Sequence, residues 1–142
     1  MRRSKSEIYV HLVWATDKRE SWLTSDIERS VFRCIEQEAK DLGCAVLAVN
    51  GMPDHVHLLV KVPGRLSAAE IAKQVKGVSS RFIQTRLRPG VHFAWQEGYA
   101  AFSICRTHVM PIIAYVEGQK QHHSSGKLWP SLEQVDEETP DR

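Results

Sequence analysis

Residues 44–62 read CAVLAVNGMPDHVHLLVKV, two apolar strand patterns on either side of a turn. Cys44 to Val49 is an apolar run of the length of a buried strand, and Asn50-Gly51 is a strong turn signal. His55 to Val62 follows as a second strand, and so short a connection makes the two antiparallel neighbours. Side chains alternate across a strand. Val56, Leu58, Val60 and Val62 therefore form one wholly apolar face, while His55, His57 and Lys61 share the other. The apolar face requires a helical cover.

The rest of the chain supplies it. Ile8, Val10, Leu12 and Trp14 alternate with Tyr9, His11, Val13 and Ala15 as a first strand. Thr24, Ser25 and Asp26 offer N-caps to a helix carrying Ile27, Val31, Cys34 or Ile35, and Leu42, closed by Gly43. Ser67-Ala68-Ala69-Glu70 is a capping box opening a second helix along Ile71, Val75, Val78 and Phe82. Gly77 inside that helix costs about 1 kcal/mol against Ala, which implies a close neighbour there. Val91 to Trp95 is expected as a short edge segment, Tyr99 to Cys105 as a fourth principal strand, and Pro111 to His123 as a last helix. The order strand, helix, strand, strand, helix, strand is that of an α+β, ferredoxin-like (split βαβ) antiparallel sheet. Both helices then lie on one face, and the other is left open for a site.

At 142 residues, 42% hydrophobic and 25% charged, the chain has the balance of a single globular domain. Residues 1–127 are expected to form that domain, with 128–142 as an acidic, loosely attached tail. Cys34, Cys44 and Cys105 form no CxxC pair, which argues against a zinc ribbon and for reduced, mostly buried thiols in a cytoplasmic protein. No signal-peptide core is present, and Val109 to Val116, the longest nearly apolar run, is too short to span a bilayer. The net charge of +2 hides an uneven distribution. Between Lys61 and His92 seven basic residues face only Glu70, a local charge of +6, whereas Leu128 to Arg142 carries −4. The basic centre suits phosphate. Lys61, Lys76 and Arg81 are the better candidates within it for DNA contact, and Tyr9 and His11 join them on the histidine face, where they could stack with a base or fill the floor of the site.

His55 and His57 side by side are poor core material and good metal ligands, although a solvated sheet face carrying two histidines is an equal reading of the pattern alone. Two ligands do not complete a metal site. Tyr115 and Gln119 lie four apart on the last helix and so face the same way, and His122 continues that face.

Five segments together carry a resemblance: HLVWAT at 11–16, DHVHLLV at 54–60, KGVSSRF at 76–82, WQEGYAAFS at 95–103 and YVEGQKQHH at 115–123. In this order, over roughly residues 6–123, the chain resembles the single-tyrosine transposases of small insertion sequences, within the HUH (His–hydrophobic–His) nucleases. It is equally similar to their domesticated relatives, the REP-associated tyrosine transposases that act on repeated palindromes. The resemblance implies Tyr115 as nucleophile and His55, His57 and Gln119 as ligands of Mg²⁺ or Mn²⁺. It also implies single-stranded or hairpin DNA as substrate, with a 5′-phosphotyrosine intermediate. A homodimer in which the tyrosine helix can serve the partner's histidines, in the cytoplasm and nucleoid of a prokaryote, follows from the same source. Gly118 interrupts the helix between nucleophile and ligand, and Pro111 lies only four residues before Tyr115. Glu117 points away from Tyr115 and is a poor base. Asp54 either orients His55 or ends the turn.

Three rivals predict different things. An RNA-recognition module calls for aromatics where His55 and His57 stand. A phosphodiesterase using water calls for activity without Tyr115. A domesticated hairpin-binding and nicking protein keeps the chemistry without mobility.

Overall fold

The computed structural model describes residues 4–121. Four strands, β1 (Ile8–Ala15), β2 (Ala45–Met52), β3 (His55–Val62) and β4 (Ala100–Ile104), form one sheet in the order β2-β3-β1-β4. Every pairing is antiparallel. Helix α1 (Glu28–Asp41) joins β1 to β2 and α2 (Ala68–Phe82) joins β3 to β4, which completes the expected ferredoxin-like topology. The capping box is present in full: Glu70 N–H donates to Ser67 Oγ and Ser67 N–H to the Glu70 carboxylate. Beyond Phe82 the helix widens into a π-helical turn over Ile83–Leu87.

Val10, Leu12 and Trp14 of β1 and Val56, Leu58, Val60 and Val62 of β3 pack on Val31, Ile35, Ile71 and Val75. At roughly 25 cal/mol per Å² of apolar surface removed from water, this layer is the chief source of stability. Val91 to Trp95 forms no strand; a single bridge from Thr16 to Trp95 ties it to the end of β1.

Two expectations fail for identifiable reasons. Asn50-Gly51 is not the turn. β2 runs on to Met52, and Pro53-Asp54 turns the chain. A Cβ on Gly51 would stand 2.2 Å from His55 O, so this glycine serves close strand approach rather than a bend. The second failure is at Gly77, where a Cβ would meet no atom within 4 Å.

The open sheet face is not open. Helix α3 (Val109–Glu117) lies across it, with Ile112, Tyr115 and Val116 packed on Ala48 and Leu59. Val109 to Val116 is apolar nearly all round; it buries Ile112, Tyr115 and Val116 against the sheet and leaves Met110, Pro111 and Ala114 exposed. It starts two residues earlier than expected, with Pro111 in its first turn, where a missing N–H is harmless. It ends at Glu117, with Gly118 N–H bonded to Ala114 O at 3.0 Å. The chain turns helical again over residues 119–121, so Gln119 stays on the Tyr115 side. His122, His123 and the acidic tail at 128–142 lie outside the described residues. Of the thiols, Cys44 is buried, Cys34 half-buried and Cys105 exposed. Among the described residues no helix is long and apolar enough to cross a membrane.

Candidate metal and nucleophile site

Strand alternation puts His11 of β1 and His55 and His57 of β3 on one face, and α3 closes over them. His11, His57 and Gln119 are 0% exposed, His55 1% and Tyr115 2%. A solvated histidine face is therefore excluded. The rings form a contiguous set. His11 stacks on His57 with centroids 5.1 Å apart, His55 meets His57 edge-on at 5.1 Å, and His57 meets Tyr115 edge-on at 5.9 Å. His11 also lies against Phe102 of β4 at 5.9 Å. It thus forms the floor of the site beneath α3.

Hydrogen bonds orient the two ligand candidates. His55 Nδ1 lies 2.8 Å from Asp54 Oδ1, and Arg19 Nε donates to Asp54 Oδ2 at 3.1 Å. The hydrogen bond from His55, with help from the Arg19 charge, holds the Asp54 carboxyl below its ordinary range despite partial burial. An ionised Asp54 accepts the Nδ1 proton, which leaves the Nε2 lone pair facing Gln119 Oε1 at 3.4 Å. His57 Nδ1 lies 2.9 Å from His11 Nε2, and a proton shared there fixes the orientation of the His57 ring. Gln119 in turn donates from Nε2 to Tyr115 O at 3.4 Å.

The donor set fits a divalent cation. With its proton toward Asp54, His55 Nε2 and the Gln119 carbonyl oxygen are two electron-pair donors facing one another, an arrangement that a cation satisfies and a neutral pair does not. A metal-bound histidine that gives its second N–H to a carboxylate is a recurrent device. Among the described residues no three His, Cys, Asp or Glu side chains form a metal-holding cluster, and the further oxygen donor that the fold brings to His55 is the amide of Gln119. Two nitrogens and one oxygen suit Mn²⁺ or Mg²⁺ with water and phosphate oxygens completing the shell.

The turn residue of the sequence reading has another task. Asn50 Nδ2 donates to Glu117 O at 2.9 Å and so caps the last turn of α3. Lys120 Nζ donates to Gly51 O and pairs with Glu28 of α1, each at 3.0 Å. Asn50, Lys120 and Arg19 are positioning residues that sequence reasoning missed. Arg19 reaches Asp54 from a tight turn after β1 in which Lys18 and Arg19 adopt positive φ of 57° and 55°. Glu117 is exposed and remote from the ring of Tyr115, as its spacing implied.

The basic candidates do not form one patch. Lys61 and Tyr9, half-buried cross-strand partners, lie beside the histidines. Lys76 and Arg81 lie on α2, across the sheet. Lys76 is engaged, donating to Gln96 O at 2.8 Å and Gly98 O at 2.7 Å, and burial lowers the pKa of its ammonium. Arg81 and Lys73 are exposed.

Residues 4–119 match the family model described as "Transposase IS200 like". The chain is 24% identical over 127 residues to the ISDra2 transposase TnpA of Deinococcus radiodurans, covering 84% of this chain and 91% of that protein. Its fold matches the crystal structure of a chain described as a transposase of Deinococcus radiodurans R1. There the TM-score is 0.66 and identity 24%, over 84% of this chain and 98% of that one. It also matches a REP-associated tyrosine transposase bound to a REP hairpin. That TM-score is 0.64 at 16% identity, over 92% of this chain and 79% of the other.

Proposed function

The chain belongs to the IS200-like transposase family, and we propose that it cuts and rejoins single-stranded DNA at hairpin-bearing ends through a covalent tyrosine intermediate. One observation carries this reading. Helix α3 and the turn that continues it deliver Tyr115 and Gln119 together against His55 and His57, with a carboxylate behind His55. A nucleophile beside three neutral ligands is the set that metal-assisted transesterification requires.

In this reading Tyr115 Oη attacks the scissile phosphorus in line. The Oη–P bond forms, the P–O3′ bond breaks, and the departing 3′ oxygen takes up a proton. A 5′-phosphotyrosine and a free 3′-OH result, and attack by a 3′-OH on the phosphotyrosine reverses the exchange without ATP. Bound at His55, His57 and Gln119, Mg²⁺ or Mn²⁺ supplies Lewis-acid polarisation of the phosphate and stabilises charge on the leaving oxygen. A phenol with an ordinary pKa of about 10 must lose its proton on attack. The tyrosine is 2% exposed, so α3 has to lift from the sheet before a phosphate can enter.

Hairpin DNA as substrate is supported by the hairpin held by the REP-associated neighbour. The homodimer belongs to the same proposal: in a single chain α3 rests on its own sheet, and exchange of α3 between two chains would give each tyrosine the other's histidines. We assign residues 1–127 to the catalytic domain.

Purified protein, Mn²⁺ or Mg²⁺ and labelled hairpin DNA with single-stranded flanks should give a covalent protein–DNA species. Tyr115→Phe should abolish it and His57→Ala should suppress it. An adduct that persists in Tyr115→Phe removes the tyrosine from its role and favours attack by water or by another residue.

A further inference from the structure

The segment HLVWAT at 11–16 opens on a histidine to which the chemistry proposed above gives no task. In the sheet His11 stands opposite Leu59 of β3 and Phe102 of β4, and Val13 stands opposite His57. His11 and His57 are therefore diagonal neighbours on one face, a spacing that ring side chains can bridge. Both are 0% exposed. An apolar side chain would fill this place without the cost of taking a polar ring out of water, so the imidazole calls for a reason.

The reason lies in the contact it makes. His11 Nε2 is 2.9 Å from His57 Nδ1, and the ring planes are inclined by 28°. On another side His11 rests against Phe102, with centroids 5.9 Å apart, so β4 holds it in place. A neutral imidazole carries one proton and ligates a metal through the nitrogen that lacks it. The nitrogen that His57 turns to His11 is Nδ1. Ligation by His57 therefore falls to Nε2, and the ring proton belongs on Nδ1. His11 Nε2 stands at hydrogen-bond distance to accept it.

We propose that His11 is a positioning residue for the metal: its Nε2 accepts the Nδ1 proton of His57 and so sets both the tautomer and the aim of that ligand. The inference rests on the metal reading given under the proposed function and deepens it. The two histidine ligands are then oriented by partners of different chemistry, a carboxylate behind His55 and an imidazole behind His57. A carboxylate also raises the basicity of the ring it holds. An imidazole brings no charge, so His11 acts on His57 through direction alone.

Two measurements on the full chain, with the metal alone and no DNA, test this. In isotopically labelled protein saturated with diamagnetic Mg²⁺, magnetic resonance should find the shared proton on His57 Nδ1, with a nitrogen–nitrogen coupling across the hydrogen bond to His11 Nε2. Calorimetric titration with Mn²⁺ then separates the acceptor from the packing. His11→Phe keeps a flat ring against Phe102 and removes the nitrogens, and affinity should fall about tenfold. His11→Gln returns an acceptor oxygen at the reach of Nε2 and should stay close to wild type. A shared proton found on His11 Nε2, or no coupling, overturns the role. So does wild-type affinity in His11→Phe, or a folded His11→Gln that binds as weakly as the Phe variant. Should His11→Phe fail to fold, the coupling in the wild type and the Gln variant still decide. A wild type that takes up neither metal overturns the metal reading itself, whereas failure confined to His11 leaves that reading standing.

Discussion

Asp54 Oδ1 and His55 Nδ1 are 2.8 Å apart, and the second carboxylate oxygen of Asp54 is held by Arg19. The adjacent residues face each other because the two-residue turn ends at Asp54 and the strand begins at His55. The consequence is a fixed tautomer: the proton on Nδ1 commits Nε2 to the site. Asp54→Ala should lower Mn²⁺ affinity about 10–100-fold, the usual effect of removing a carboxylate behind a metal-binding histidine. Titration calorimetry reads this without any DNA. Arg19→Ala should show a smaller loss of the same sign. Unchanged Mn²⁺ affinity in Asp54→Ala would leave the carboxylate with only its role in the turn.

The three thiols should react in a definite order. Hydrogen bonding to Thr107 and the neighbouring His108 bring the exposed Cys105 thiol down to about 7. Burial pushes Cys34 and Cys44 up. The thiolate is the nucleophile, and its population grows as pH rises through the pKa. Alkylation by iodoacetamide at neutral pH should label Cys105 first, with a rate that climbs between about pH 6 and 8 and then levels. Thr107→Val should move that rise to higher pH. Peptide mass spectrometry over a pH series decides it, and faster labelling of Cys34 would contradict the assignment.

The ferredoxin-like order was legible because each strand and helix announces itself locally, through alternation at Val56 to Val62 and the capping box at Ser67. The pairing of Tyr115 with Gln119 was legible from helical spacing, and survives Gly118 because the chain turns helical again at residue 119. What periodicity does not encode is the surface that a helix covers. The apolar character of Val109 to Val116 asks for a partner surface, yet nothing local says that Ala48 and Leu59 provide it for Ile112 and Val116. Asn50 was misread for a related reason. Its neighbour Gly51 reads as a turn partner, whereas its hydrogen-bond partner, Glu117 O, is 67 residues away.

Ser79 shows how a small residue can hold the core. Its hydroxyl donates to Val75 O and accepts the indole N–H of Trp95 at 3.0 Å, and Ser79 is 0% exposed. Ser79→Ala therefore leaves a buried indole donor without a partner, at a cost of about 1–3 kcal/mol. A chemical denaturation curve should shift to a lower midpoint with its slope unchanged. Ser80→Ala, on the neighbouring and half-buried position, should shift the midpoint much less. Equal effects would mean that the Trp95 hydrogen bond carries no special weight.

The last prediction concerns how α3 opens. Tyr115 is buried, so access of DNA depends on the free energy that keeps α3 on the sheet, and the contacts at the end of the helix set part of it. Asn50 Nδ2 to Glu117 O is a neutral hydrogen bond, worth about 1 kcal/mol net. Lys120 to Glu28 is a partly exposed ion pair, worth about 0–1 kcal/mol. Removing both by Asn50→Ala and Lys120→Ala should raise the open population of α3 about tenfold, since about 1.4 kcal/mol corresponds to that ratio. Amide hydrogen exchange in 109–117 should accelerate accordingly, while α2, which these residues do not touch, keeps its protection. If lifting of α3 limits attack, the double variant also forms the covalent adduct faster despite its less ordered site. Unaltered exchange in α3 would show that Ile112 and Val116, packed on Ala48 and Leu59, hold the helix without this latch.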